Sequence, residues 1–210
     1  MASTGIWASN ILAGALVLTD LKVTASGGSG QYGIWNINSS PTMRNLTVAA
    51  TGDGVSSSES FGIINDAASN PTMDAVDVTA EGALTTNGIR VTGGSAPLIT
   101  GVTSTAKGIN NVGSTAYSVY VLGSSFTLEG DRLLATRSNA NAQAWSVGFF
   151  TSGSIVTIKN SYLGAPSAVT SVAGTLIIIT GNTLLGQVTG PTSFHCAYNT
   201  DGAGNALGNC

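Results

Sequence analysis

The charged side chains that could do chemistry fall into two short groups. Asp74 and Asp77 form one group, and Glu129, Asp131 and Arg132 form the other. On the outer face of stacked strands, two carboxylates can lie on either side of a sugar and act as general acid and general base. The same positions also fit ordinary charge pairing between neighbouring strands. We therefore treat these five residues as candidates for polysaccharide cleavage, with strand pairing as the alternative.

Aromatic side chains provide a second candidate site. Trp7, Trp35 and Tyr120 occupy equivalent positions in repeated segments, in a column that also contains Ile64 and Arg90. Exposed rings at regular spacing can stack on sugar faces or form a subunit contact. The alternative is that a loop or a neighbouring domain covers them. The three aromatic residues are the predicted binding residues of this chain.

Both cysteines, Cys196 and Cys210, lie near the carboxyl end. A disulfide between them would close a short loop, contribute about 3 kcal/mol and indicate an oxidising, extracellular setting. Two free thiols are the alternative. His195 is the only histidine, which supports neither a zinc site nor a catalytic triad. We expect it to be structural, and we expect no metal and no cofactor.

Two short motifs match known patterns without the structural context that those patterns need. Residues 28–33 match G-x-G-x-x-G, but a strand follows where a dinucleotide site requires a helix. Residues 104–107 match S-x-x-K, which requires helical spacing. The repeat alignment places Ser104 inside the molecule instead. We expect a glycine-rich turn and a buried serine.

A repeated structure must position these residues. A first motif recurs at 32–36, 61–65, 87–91 and 117–121, and each copy is followed by a second motif that contains one apolar anchor. The spacing between anchors varies by insertion, as expected for stacked coils with loops of different length. The anchors are Leu18, Met43, Met73, Ile99, Leu128, Ile158 and Ile179.

Apolar residues alternate within the motifs, as in Leu46, Val48 and Ala50, and this is the period of a strand. Gly, Asn, Pro and Ser separate the strand-sized runs. The sequence predicts an all-β fold, a right-handed parallel β-helix of about seven coils. Residues 1–190 form the solenoid, and residues 191–210 form a C-terminal cap over the last strand edges. One predicted inward column contains Ile34, Ile63, Ile89, Val119 and Val147.

The paired motifs G-I-x-N and S/N-P-T-M-x-x-V/L-x-V extend over most of the chain, from Gly5 to about Gly186. They resemble those of bacterial and phage right-handed β-helix proteins of the pectate-lyase-like superfamily. The resemblance implies the architecture. It selects no activity, because that fold is shared by lyases, hydrolases, esterases, adhesins and tailspikes.

Composition excludes several classes of partner. Only 8% of residues are charged and the net charge is −3, so the composition does not indicate a basic surface that would bind nucleic acid or an anionic membrane. The longest apolar stretch, residues 11–18, is too short to cross a bilayer. The amino end runs directly into repeat-like sequence, and we expect that it was cut from a longer precursor.

The leading hypothesis is a secreted or virion-associated solenoid module with a structural, adhesion or carbohydrate-binding role, without catalysis. Its partner would be a polysaccharide or a cell-surface glycan, and a homo-oligomer is compatible with the resemblance. The first alternative is a polysaccharide lyase, hydrolase or esterase that uses the outward carboxylates. The second is an ice-binding solenoid, but charged residues interrupt the outward threonine columns.

Overall fold

The computed structural model describes residues 2–54, 58–109, 111, 113–137, 143–150, 154–171, 176–189 and 193–207. These residues form strands, turns and loops, and none of them forms a helix. The strands are β1 (Ala2–Ser9), β2 (Val17–Thr19), β3 (Lys22–Ser26), β4 (Gly30–Ile37), β5 (Thr42–Thr51), β6 (Glu59–Asp66), β7 (Thr72–Ala83), β8 (Thr85–Thr92), β9 (Leu98–Thr100), β10 (Thr103–Gly108), β11 (Thr115–Leu122), β12 (Phe126–Glu129), β13 (Arg132–Thr136), β14 (Gln143–Phe149), β15 (Ile155–Lys159), β16 (Tyr162–Thr170), β17 (Leu176–Thr180), β18 (Thr183–Thr189), β19 (Ser193–Ala197), β20 (Asn199–Asp201) and β21 (Ala206–Leu207).

The chain winds as a parallel β-solenoid, because each strand from β1 to β18 pairs in parallel with its equivalent one coil later. The first sheet contains β1, β4, β6, β8, β11 and β14, followed by the ends of β16 and β18. The second sheet contains β2, the starts of β5 and β7, and then β9, β12, β15, β17 and β19. The third sheet contains β3, the ends of β5 and β7, β10, β13, the starts of β16 and β18, and β20. The predicted fold class, an all-β parallel β-solenoid, is therefore confirmed.

The register of the second sheet follows the anchors found in the sequence. Leu18 pairs with Met43, Met43 with Met73, and Met73 with Ile99. The same column continues through Leu128, Ile158 and Ile179 and ends on Cys196 in β19. A slip of one residue would turn every anchor outward, so the apolar alternation fixes this register.

Three inward columns form the core, and like residues stack on like. The first-sheet column contains Ile34, Ile63, Ile89, Val119 and Val147, as predicted, and each of them is 0% exposed. Stacking small aliphatic side chains in this way fills a narrow interior at high density without large rings. Ser104 occupies the third-sheet column beside Val78 and is 0% exposed, which confirms the predicted buried serine.

A single left-handed residue makes the bend between the second and third sheets in each coil. It follows the anchor by two positions, and its positive φ turns the chain without a longer loop. Glycine, asparagine or aspartate occupies most of these positions, which are the residue types that adopt this conformation most easily. The residues are Asp20, Asn45, Ala75, Gly101, Gly130, Asn160, Gly181 and Tyr198, with φ between 50° and 68°.

Polar ladders satisfy the backbone at the buried corners. At the corner after the first sheet, the Ser39 N–H donates to Ser69 Oγ at 3.1 Å, and the Ser69 N–H donates to Ser95 Oγ at 3.0 Å. Inside the first sheet, Asn36 Nδ2 donates to Asn65 Oδ1 at 2.9 Å. Buried polar groups need such partners, so these ladders restrict which residues can replace them.

The carboxyl end adds further pairing within the segment predicted as a cap. Strands β19 and β20 continue the parallel ladder past residue 190. Strand β21 then pairs antiparallel with β20, through Asn199 opposite Leu207 and Thr200 opposite Ala206. An antiparallel strand of this kind covers part of the terminal edge of the stack.

Candidate functional site

The aromatic column lies on the outer side of the first sheet, in the predicted register. Trp7 pairs with Trp35, Trp35 with Ile64, Ile64 with Arg90, and Arg90 with Tyr120. Trp7 is 60% exposed, Trp35 and Tyr120 are half-buried, and Ile64 is 4% exposed. Ile64 is therefore the floor of the surface rather than a contact residue.

A second outward column lies three residues before the aromatic column in each strand, and the sequence pattern did not predict it. It contains Tyr32, Phe61, Asn87, Tyr117 and Trp145 in register. Strict alternation would place Tyr32 on the inner face with Ile34. The intervening glycine changes this, because a Cβ on Gly33 would overlap Val48 Cγ1 in the core. Gly33 and Ile34 both face inward, so the rings of Tyr32 and Trp35 lie side by side outside.

The two columns enclose a groove, which we call the aromatic groove. Its cavity has a volume of about 270 Å³ and spans three coils. This size is near the lower end of the range for small-molecule sites. The lining residues are Tyr32, Trp35, Glu59, Phe61, Ile64, Asp66, Arg90 and Thr92.

Ring contacts hold the walls of the aromatic groove in place. The Tyr32 and Trp35 ring centroids are 5.1 Å apart in an edge-to-face arrangement. Trp35 also stacks on Trp7, with centroids 5.1 Å apart, and Tyr32 contacts Phe61 at 5.7 Å. Such pairs contribute about 0.5–1.5 kcal/mol each beyond the area they bury. The rings are thus ordered before any ligand binds.

Two carboxylates line the aromatic groove, and they accept different numbers of hydrogen bonds from the protein. Tyr32 Oη donates to Glu59 Oε2 at 3.3 Å. Asp66 Oδ1 accepts from the Ala67 N–H and from Thr92 Oγ1, both at 2.8 Å. Burial raises the pKa of Tyr32, and the nearby Glu59 carboxylate adds to the rise. Tyr32 is therefore a hydrogen-bond donor at neutral pH, and Glu59 keeps one oxygen for a ligand hydroxyl.

Arg90 is held by rings rather than by a carboxylate. Its guanidinium carbon lies 5.2 Å from the Phe61 ring centroid and 5.6 Å from that of Tyr120. Cation–π contacts of this kind orient the planar group. Within the described part of the chain, no carboxylate or carbonyl accepts from the guanidinium, so its N–H donors face the aromatic groove or solvent.

The predicted carboxylate site is not assembled as one cluster. Asp74 and Asp77 are exposed on the second and third sheets, on either side of the left-handed residue Ala75. Arg44 lies beside Asp74, as expected for strand pairing. In the described residues, however, the two side chains do not form an ion pair.

The Glu129 group is divided between the outside and the inside. Glu129 is exposed beside Lys159, and the Arg132 guanidinium lies 5.2 Å from the Tyr162 ring centroid. Asp131 points inward and is 2% exposed, with Oδ1 accepting from the Val102 N–H at 2.8 Å. Burial raises the Asp131 pKa from 3.8 to about 7. Asp131 therefore belongs to a corner ladder and is out of reach of a ligand on the surface.

The predicted disulfide falls outside the described residues, since Cys210 and the side chain of Cys196 are not among them. His195 lies exposed on β19, in register with Ile178. Over the ranges that the structure describes, no three His, Cys, Asp or Glu side chains come together as a metal site. The same residues include no helix long and apolar enough to span a membrane.

Comparison with protein-family models and with curated proteins finds no match to this chain. The functional argument therefore depends on the geometry of the aromatic groove.

Proposed function

We propose that this chain is a secreted or virion-associated solenoid module of the pectate-lyase-like type that binds carbohydrate in the aromatic groove without cleaving it. The single observation that carries the proposal is the ordered pair of Tyr32 and Trp35 rings beside Glu59 and Arg90 in one 270 Å³ cavity. A cell-surface or extracellular glycan is the expected partner.

The combination of groups matches the two faces of a sugar. The C–H face of a pyranose is apolar and stacks on an aromatic ring, which removes apolar surface from water. Its hydroxyls need hydrogen-bond partners in return, because an unpaired buried hydroxyl costs about 1–3 kcal/mol. Glu59 supplies an acceptor and Arg90 supplies donors at the edge of the rings. Apolar walls with a few polar groups are typical of specific ligand sites.

Cleavage of a polysaccharide is the second candidate, because Glu59 and Asp66 both line the cavity. Asp66 already accepts two hydrogen bonds through Oδ1. This arrangement favours a role for Asp66 in holding the groove wall. Turnover of a glycan by the wild-type protein, abolished by Glu59→Gln, would decide in favour of the enzyme.

A glycan array tests the binding proposal, followed by electrophoresis in gels that contain the polysaccharides identified on it. Wild-type protein is expected to be retained, and Trp35→Ala to lose at least tenfold in affinity, about 1.4 kcal/mol. Tyr198→Ala is the matched control, because it also removes an exposed ring, 88% exposed on a distant corner. Equal retention of Trp35→Ala and wild type would contradict the proposal.

The extracellular assignment includes a disulfide between Cys196 and Cys210, and the association state is proposed to be a homo-oligomer. Ellman titration of the untreated protein tests the first point, since two reactive thiols would contradict it. Light scattering tests the second, and a monomer mass would contradict it.

A further inference from the structure

We infer that the aromatic groove recognises the acetamido group of an N-acetylated amino sugar. This inference rests on the proposed carbohydrate binding and adds the chemical group that distinguishes the bound sugar from others. Three features of the groove carry it, namely a limited ring surface, an unpaired acceptor and donor, and a small apolar recess.

Little ring surface in the aromatic groove is open to a sugar. Trp7 stacks on Trp35 with centroids 5.1 Å apart and covers one face of that ring. Phe61 is 2% exposed, and the Arg90 guanidinium lies over it, 5.2 Å from the ring centroid. Stacking of a whole sugar face is therefore limited, and discrimination between sugars depends on the polar groups and on the shape of the groove.

Glu59 and Arg90 supply an acceptor and a set of donors in the same part of the groove. Tyr32 Oη donates to Glu59 Oε2 at 3.3 Å. Burial and the Glu59 carboxylate raise the pKa of Tyr32, and the Arg90 guanidinium lowers it by less. Both charged groups therefore lie near the Tyr32 hydroxyl. Among the described residues these two side chains do not form an ion pair with each other, so both can bind a ligand.

A secondary amide fits between such an acceptor and donor. It is planar and trans, so its N–H and its C=O point in opposite directions. Hydrogen bonds of about 2.9 Å on each side let the amide bridge two protein groups that do not touch each other. The amide N–H then donates to the free Glu59 oxygen, and the carbonyl oxygen accepts from Arg90. Each of these bonds has one charged partner, which makes it stronger than a bond between neutral groups.

The floor of the groove provides a place for the methyl of the acetyl group. Ile64 lies in the outward column between Trp35 and Arg90, and both of these side chains are longer. It is 4% exposed and lines the cavity beside Phe61. A methyl group buried in this recess should raise affinity about fourfold. A hydroxyl can bond to Glu59 and Arg90 as well, but it would leave the recess to water.

Matched sugars that differ at one position test the acetamido group. The methyl glycosides of glucose, galactose and mannose are titrated into the wild-type protein beside their 2-acetamido-2-deoxy derivatives, and binding is followed by protein NMR. At least one acetamido sugar is expected to bind about fivefold or more tightly than its hydroxyl counterpart. The corresponding 2-amino sugar lacks the carbonyl and the methyl, so it is expected to lose this gain.

Two variants test whether the gain comes from the groove. Arg90→Met keeps a long side chain without the donors. Ile64→Phe fills the recess with a ring, as Trp35 and Tyr120 do at equivalent positions. Each variant should lower the ratio of the two affinities about threefold or more. Tyr198→Ala should keep the wild-type ratio, and circular dichroism melts verify that every variant is folded.

Three results would overturn the inference while leaving carbohydrate binding intact. The first is a gain below about fivefold for every acetamido sugar over its hydroxyl counterpart. The second is a 2-amino sugar that binds as tightly as the acetamido sugar. The third is a wild-type affinity ratio in either Arg90→Met or Ile64→Phe. If no glycan on the array or in the gels retains the protein, the proposed function fails and the inference fails with it.

Discussion

The substitution Asp131→Asn is expected to stabilise the protein at neutral and alkaline pH. It should also remove most of the pH dependence of the free energy of unfolding between about pH 4 and pH 7. Asp131 lies in a corner ladder in which Asn182 and Asn199 hold the equivalent places further along the chain. Asn182 Oδ1 accepts from the Ser161 N–H at 2.7 Å, while its Nδ2 donates to a carbonyl oxygen at 2.9 Å. The amide introduced by Asp131→Asn would keep the acceptor that Val102 needs, and it would carry no charge into the interior.

The size of the effect follows from the displaced pKa. Burial is the main cause that raises the Asp131 pKa from 3.8 to about 7, and the Glu129 carboxylate adds to it. Between pH 3.8 and about pH 7, the Asp131 carboxyl is ionised in the unfolded chain but still protonated in the folded protein. The free energy of unfolding therefore falls as pH rises through this window and stays low above it. One pH unit is worth about 1.4 kcal/mol, so the total loss is at most about 4 kcal/mol.

Urea unfolding of both proteins between pH 4 and pH 8.5 tests this reasoning. The wild-type free energy of unfolding should fall by a few kcal/mol between about pH 4 and pH 7, and that of Asp131→Asn should fall much less. The two curves should meet near pH 4. Parallel curves over the whole range, or a less stable Asp131→Asn at pH 8, would show that the buried carboxyl is not a destabilising charge.

Three further changes test the fold itself. Ala75→Asn places a residue that tolerates positive φ at the left-handed bend and should raise the free energy of unfolding by about 1 kcal/mol, whereas Asn45→Ala should lower it by about as much; no difference between these two variants in urea unfolding would contradict the strain argument. Ile63→Ala empties a fully buried position and should cost about 2–5 kcal/mol in the same assay, and a loss below 1 kcal/mol would show a loosely packed interior. Cys210→Ser should lower stability by about 3 kcal/mol under non-reducing conditions if it pairs with Cys196, and an unchanged melting temperature would argue for free thiols.

The sequence predicts the parallel stacking well because side-chain alternation and the anchor motif carry the register. Leu18, Met43 and Ile179 fall in one column, and so do Ile34, Ile63 and Ile89. Each column consists of like residues at like positions, and burial of the apolar face leaves one register available. The alternation and the anchors within one sequence are therefore enough to place the described strands of the second sheet in register.

Half of the aromatic groove escaped prediction because glycine interrupts the alternation. A period of two assigns Tyr32 and Phe61 to the inner face, but Gly33 and Gly62 take the inward positions next to the core valines. A signal was present in the sequence, since an aromatic–Gly–Ile triplet begins the first two of the four copies of the first motif. Glycine inside a strand run often marks a bulge or a close approach of backbone.

Asp131 was predicted to lie on the surface with Glu129 and Arg132, but it is buried. Its neighbours Glu129 and Arg132 are exposed, and the sequence grouped the three by proximity. The left-handed Gly130 turns the chain between them, so Asp131 points inward to the Val102 N–H. Serine and asparagine at equivalent corner positions were the available clue, because they carry the same acceptor without a charge.

Tryptophan fluorescence during a glycan titration tests the central claim most directly, because Trp35 lines the aromatic groove and Trp7 stacks on it. An oligosaccharide of the glycan that retains the protein should produce a saturable shift and intensity change in the emission. Trp35→Phe should reduce this change and weaken the apparent affinity. A glycan that is retained in gels yet leaves the emission of all three tryptophans unchanged would place the binding site elsewhere and contradict the account.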